Sequence, residues 1–170
     1  MPPRVVRSRR VYDGAVVSLR IDELAADGGP SPREIVEHRG AVAAVPLLPD
    51  GAVLLVRQYR HAAGGPLLEI PAGTLEPGED PASALQRELA EEIGMRAGEV
   101  RHLVTFLPSP GFLTEEVHVY LARDLTPHRL PAEEDDIEVV RVPLEEAQAM
   151  IRSGAIRDAK SIIALLWLRG

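Results

Sequence analysis

Between Gly73 and Met95 the chain reads GTLEPGEDPASALQRELAEEIGM, which predicts a helix carrying three carboxylates where a helix tolerates them poorly. Asp80 suits the N-cap and Pro81 the first helical position, because proline has no N–H to lose and its φ is pre-set. Gly94 suits the left-handed residue that closes a helix. The expected helix covers residues 81–93, about three to four turns. At roughly 100° per residue, Ala82, Leu85, Leu89 and Ile93 form an apolar stripe. Glu88, Glu91 and Glu92 fall together on a neighbouring face. Spaced i, i+3 and i+4, they repel one another by roughly 0.2–0.5 kcal/mol per pair. They also occupy the half of the helix whose dipole is negative. Arg87 reaches Glu91 one turn on and relieves only part of that repulsion. A hard divalent cation that prefers oxygen ligands, Mg²⁺ or Mn²⁺, would give such crowding a purpose. The competing reading is a solvated acidic face.

The net charge of −7 argues against a nucleic-acid-binding face built on bulk positive charge. An acidic chain acting on a polyanion would need metal ions and a few placed arginines. With 170 residues, 45% of them hydrophobic, the chain is long enough for a substantial core. It has no cysteine, hence no disulfide and no thiolate metal site. No apolar run approaches a membrane span, and the basic start has no apolar stretch after it. A cytoplasmic protein with neither a membrane nor a nucleic-acid partner is the expectation. His38, His61, His102, His118 and His128 never stand at i, i+4, so no helical zinc pair is expected. No P-loop and no G-x-S-x-G elbow occurs.

The first 35 or so residues read as β structure. Val17, Leu19 and Ile21 alternate with polar residues, Asp27-Gly28-Gly29-Pro30 is a turn, and residues 33–38 return as a strand. Two apolar runs follow, 41–48 and 52–56, joined by Pro49-Asp50-Gly51, and predict a hairpin of strands buried on both faces. Residues 67–70, 100–107, 117–121 and 137–142 read as further strands. Leu144, Ala147 and Ile151 mark a helix ending at Gly154, and Asp158 caps a last one. That helix is expected to bury Ala159, Ile162, Ile163, Leu166 and Trp167. This order predicts an α/β (α+β) chain, a mixed sheet layered between helices.

The Gly73–Met95 segment resembles the Nudix box, G-x5-E-x7-R-E-U-x-E-E-x-G-U with U apolar. Gly73, Glu79, Arg87, Glu88, Leu89, Glu91, Glu92, Gly94 and Met95 fill every defined position, Met95 where an aliphatic residue is more usual. Seven fixed residue types make a chance match on the order of once in 10⁸ starts. The resemblance covers residues from about 36 onward. It implies an α/β/α sandwich with a mixed sheet, a domain over 36–170 preceded by an N-terminal β-rich arm over 1–35. It also implies Mg²⁺-dependent (or Mn²⁺-dependent) hydrolysis of a nucleoside diphosphate derivative by metal-activated water. By motif position the metal ligands are Glu88, Glu92 and Glu91, with the backbone carbonyl of Ala72. Glu79 either ligates or supports the start of the helix, and Arg87 orients a glutamate.

Residues around the box resemble the ADP-ribose pyrophosphatase branch. They are Val56-Arg57-Gln58-Tyr59-Arg60, Leu68-Glu69-Ile70-Pro71-Ala72-Gly73, Glu76, and Ser109-Pro110-Gly111-Phe112, whose proline stands 15 residues beyond Met95. The branch implies cleavage of ADP-ribose to AMP and ribose 5-phosphate. It further implies a catalytic base on a mobile acidic loop, here Pro131 to Asp136, with Glu133 first and Glu134 and Asp135 as competitors. Glu91 or another box residue is the alternative base. Substrate-contact candidates are Arg33, Arg60, Glu76, Ser109 and Gly111. The arm is expected to build a homodimer. The rival readings are a Nudix enzyme for another nucleotide sugar or a nucleoside triphosphate, and a non-catalytic Nudix-like binding or regulatory module.

Overall fold

The computed structural model describes residues 3–26, 28–131 and 136–168. Two compact units emerge, one of Met1–Gly40 with Leu107–Glu116, the other of Ala41–Phe106 with Val117–Gly170. The first is an antiparallel meander of β1 (Val5–Asp13), β2 (Ser18–Leu24) and β3 (Ser31–Glu37). Arg20 ties it together by pairing with Asp22 and Glu37. The segment around Phe112 extends this unit, with Val36 donating to the Phe112 carbonyl at 2.7 Å and Thr114 donating to the Val36 carbonyl at 3.0 Å.

The second unit contains β4 (Ala41–Pro46), β5 (Ala52–Arg60), β6 (Gly65–Glu69), β7 (Ala72–Thr74) and α1 (Pro81–Glu92). After these come β8 (Met95–Phe106), β9 (Val117–Pro127), β10 (Glu138–Pro143), α2 (Leu144–Ser153) and α3 (Ala159–Trp167). One sheet runs β7-β4-β9-β8 and is mixed, since β4 and β9 are parallel. The other runs β10-β5-β6, antiparallel throughout.

Strand periodicity explains the layering. Val42, Ala44, Leu54 and Val56 pack with Leu85, Leu89 and Ile93 of α1. The alternate residues Ala43, Val45, Val53 and Leu55 pack with Ala147, Ile156, Ala164 and Leu165 of the C-terminal helical region. Side chains at successive positions point to opposite faces, so strands clad by helices on both sides read as unbroken apolar runs. The expected α/β/α layering with a mixed sheet is therefore present.

Four expectations need correction. The runs at 41–48 and 52–56 do not form a hairpin ladder. The turn exists, with Gly51 at φ 83° and its N–H on the Leu48 carbonyl, but only Leu47 and Val53 bridge beyond it. β4 spends both edges on β7 and β9, and β5 spends both on β6 and β10. Ala82 is exposed, and the buried face of α1 is Ala84, Leu85, Glu88, Leu89, Ala90 and Glu92. Trp167 is 55% exposed, and Ala159 and Leu166 are exposed as well, because α3 turns Ser161, Ala164 and Leu165 inward. β8 starts at Met95, earlier than expected, because β9 runs on to Pro127 and pairs with it from Met95 onward, and the Gln86 side chain satisfies both backbone groups of Ala97.

The caps match expectation. The Asp80 carboxylate accepts from Ser83 N–H at 3.0 Å, and Asp158 does the same for Ser161 at 3.0 Å. Gly154 takes φ 79° after α2, and Gly94 takes φ 67° after α1. Among the described residues, no helix is long and apolar enough to cross a membrane.

Candidate functional site

The short strand β7 lies against the box helix α1, and this contact assembles the acidic site. Ala72 donates its N–H to Glu92 Oε2 at 2.9 Å. A Cβ built on Gly73 would overlap the Glu88 carboxylate, so glycine is the residue that lets this backbone meet that side chain. Glu88 and Glu92 are each only 8% exposed. Burial pushes the Glu92 carboxyl up to about 8; the Ala72 N–H opposes this, the Glu88 charge adds to it, and the charges of Arg60 and Lys160 oppose it.

Arg87 organises the other carboxylates. Its Nη1 donates to Glu88 at 2.7 Å and to Glu91 at 3.2 Å, while Nε and Nη2 hold Glu79 at 3.2 and 3.1 Å. Hydrogen bonds to Glu79, then the charge of Glu88, keep the guanidinium protonated against its partial burial. Glu79 also accepts from the Glu76 N–H at 2.9 Å, and its carboxyl is held below the usual range chiefly by Arg87. Of the two roles open to Glu79, the geometry matches support of the turn leading into α1.

A second cluster stands beyond the box. Glu69, at the end of β6 and 2% exposed, receives Arg60 Nε and Nη2 at 3.0 Å each and Lys160 Nζ at 2.5 Å. Burial raises the Glu69 carboxyl, but the Arg60 hydrogen bond and the Lys160 charge outweigh it and hold it low. Arg60 was expected near substrate; Glu69 and Lys160 were not singled out as site residues. Two signals existed for them. Lys160 is the only lysine in a chain that otherwise uses arginine, and Glu69 is an acidic residue inside an apolar run.

The remaining candidates belong to different units. Glu76 is exposed. Arg33, Ser109 and Gly111 belong to the first unit, where Arg33 donates to Ser31 Oγ and the Pro32 carbonyl at 2.8 Å each. The Ser109 carbonyl accepts from Phe112 at 3.2 Å and Leu113 at 3.0 Å. Glu133, Glu134 and Asp135 lie outside the described residues. The chain just before them is anchored to the box helix, because Leu130 donates to the Ala90 carbonyl at 3.1 Å.

Among the described residues, no three Asp, Glu, His or Cys side chains are gathered as ligands for an ion. Glu88 and Glu91 share Arg87 Nη1. The chemistry of the donors nonetheless fits a hard divalent cation, since Glu88 and Glu92 are buried carboxylates and their mutual repulsion is the kind a cation removes.

Known proteins share the sequence and the fold of this chain. The family model described as NUDIX domain matches residues 37–165. A Bacillus methanolicus protein named methanol dehydrogenase activator is 35% identical over 98% of this chain and 92% of its own length. The ADP-ribose pyrophosphatase of Bacillus subtilis is 36% identical with the same coverage of both chains. A solved structure described as an ADP compounds hydrolase superposes with a TM-score of 0.86 at 25% identity, covering 99% of this chain and 93% of the other.

Proposed function

The chain belongs to the Nudix family, and from that premise we propose that it hydrolyses the diphosphate of ADP-ribose, giving AMP and ribose 5-phosphate. The observation that carries the reading is the buried Glu88–Glu92 pair against the Ala72 backbone, with Arg60 and Lys160 charged nearby. The names of the B. subtilis relative and of the solved structure support the choice of substrate class.

Glu88, Glu92 and Glu91, with the Ala72 carbonyl, would hold Mg²⁺ or Mn²⁺. A divalent ion there supplies charge neutralisation at phosphate oxygens and a more acidic attacking water. Arg87 keeps the carboxylates in register. Water adds to one phosphorus, the bond from that phosphorus to the bridging oxygen breaks, and the water's proton passes to Glu133. Arg33, Arg60, Glu76, Ser109 and Gly111 contact the substrate in this reading. The arm over residues 1–35 dimerises and the domain over 36–170 carries the chemistry. Supporting the dimer, β1 is an edge strand exposed along its length, and unpaired edges with apolar side chains invite pairing. We place the enzyme in the cytoplasm, without nucleic-acid or membrane partners.

A panel of nucleoside diphosphate derivatives with Mg²⁺ or Mn²⁺, products resolved by chromatography, tests the reading. ADP-ribose should give AMP and ribose 5-phosphate, with ¹⁸O from labelled water in one product phosphate. A kcat/KM for ADP-ribose at least tenfold below that for a nucleoside triphosphate or a GDP-sugar would reject the substrate and leave the chemistry. The second reading, a regulatory module, is favoured by the activator's name and opposed by the complete carboxylate set. It requires ligand binding with no turnover of any panel member.

A further inference from the structure

A second group of ligand-type side chains stands away from the carboxylates. His102 Nε2 lies 2.9 Å from Thr105 Oγ1, and His118 Nδ1 lies 3.0 Å from the same oxygen. Residues three apart on a regular strand point to opposite faces. Between His102 and Val104 the pairing of β8 with β9 shifts register, which makes Leu103 an extra residue. Leu103 and Val104 both pack on the core beside the C-terminal helices, and His102 and Thr105 emerge together on the other face. His118 joins them as the register partner of Thr105. Tyr120, the partner of His102, meets that ring edge-on at 5.3 Å between centroids and packs against the α1 side of the core. His102 and Thr105 are exposed, so the group is open to a solute. Val42 pairs with His118 on one side and with Gly73 on the other. His118 therefore shares a sheet face with Gly73, about 10 Å from it across two strand spacings.

We propose that His102 Nε2, His118 Nδ1 and Thr105 Oγ1 form a binding site for Zn²⁺, with water completing its shell. Zn²⁺ favours imidazole, whereas the carboxylates of α1 offer only oxygen, which suits Mg²⁺ or Mn²⁺. Bonds of about 2.0–2.1 Å to a tetrahedral ion place neighbouring ligand atoms about 3.3–3.4 Å apart. Each ring nitrogen already stands slightly closer than that to Thr105 Oγ1, so small rotations admit an ion among the three. The hydroxyl has one proton, so without metal it donates to one ring and accepts from the other. A ring nitrogen ligates bare, its proton resting on the other nitrogen of that ring, while the hydroxyl turns its own proton outward.

The test uses the full chain without a histidine tag, in excess Mg²⁺ to occupy the carboxylates, with zinc chloride as the probe. In ¹⁵N NMR of the imidazoles, Zn²⁺ should move His102 at Nε2 and His118 at Nδ1 and leave His61 and His128 in place. Calorimetry should give a Zn²⁺ affinity that Glu92→Gln leaves unchanged. His102→Gln, His118→Gln and Thr105→Val should each weaken that affinity by roughly 10- to 100-fold, the range for ligands and the groups that orient them. Circular dichroism melting establishes that each variant is folded at the temperature used. Zn²⁺ binding within twofold of wild type in any of the three variants overturns the site. A Zn²⁺ response confined to His38, His61 or His128 overturns it as well. So does binding that Glu92→Gln removes and His118→Gln does not, since the ion would then belong to the carboxylates.

Discussion

A carboxyl held near 8 in the folded chain, as that of Glu92 is, makes stability depend on pH in an unusual direction. Its ordinary value is 4.5, so between 4.5 and about 8 the folded state binds the proton more tightly than the unfolded one. The contribution of Glu92 is therefore most favourable at low pH and is lost as pH rises through that window. Without metal, wild-type Tm measured against Glu92→Gln should fall between about pH 5 and pH 8, with Glu92→Gln equal or more stable at the upper end. The same variant should lose most turnover and bind divalent ions more weakly by calorimetry; wild-type activity in it would end the metal assignment. Glu69 has the opposite sign, since its folded carboxyl lies below its ordinary value and its contribution is lost as pH falls. Gly73→Ala places a methyl where the Glu88 carboxylate lies and should push that side-chain end aside, with little change in chemical denaturation but loss of most of the activity. Glu133→Gln should lower kcat by roughly 10²–10⁴ with metal affinity little changed. If Glu134→Gln or Asp135→Asn carries the large loss instead, the base moves within the loop; if none does, Glu91 becomes the better base.

At the scale of elements, the box helix owes its start to a local device and its burial to its neighbours. Asp80→Ala removes the acceptor for Ser83 and should cost about 1 kcal/mol. The start and end of α1 were legible in Asp80, Pro81 and Gly94, because caps act over a few residues. The buried face was half legible. Leu85 and Leu89 announced themselves, whereas Glu88 and Glu92 are buried beside them because β7 and the sheet cover that side. The last helix shows the converse. Its apolar residues run nearly all the way round, so its sequence did not say which side packs, and Trp167 faces outward. Trp167→Ala should change stability by less than about 0.5 kcal/mol, whereas Leu165→Ala should cost about 2–5 kcal/mol, both read from urea denaturation.

For the whole molecule, the prediction concerns assembly. Sedimentation should give a homodimer at micromolar concentration, and truncation before Glu34 should leave an inactive or unstable monomer. A monomeric intact chain would rule out the dimer. The family and the clustering of the acidic side chains around Arg87 were readable from local order, since the spacing of Glu79, Arg87, Glu88, Glu91 and Glu92 is a property of one turn and one helix. Cap positions, strand alternation and the Pro49-Asp50-Gly51 turn were readable for the same reason. Strand partners were not: a strand apolar on both faces carries no alternation to specify its neighbour, and only the completed sheets assigned β4 to β7 and β9. Nor could spacing find the cations on Glu69. Arg60 and Lys160 stand 9 and 91 positions from it, and they meet it only because the ends of β5 and β6 and the start of α3 come together in the folded chain. Local chemistry is written in sequence order, but contact between distant charges exists only after the sheet and its helices close around them.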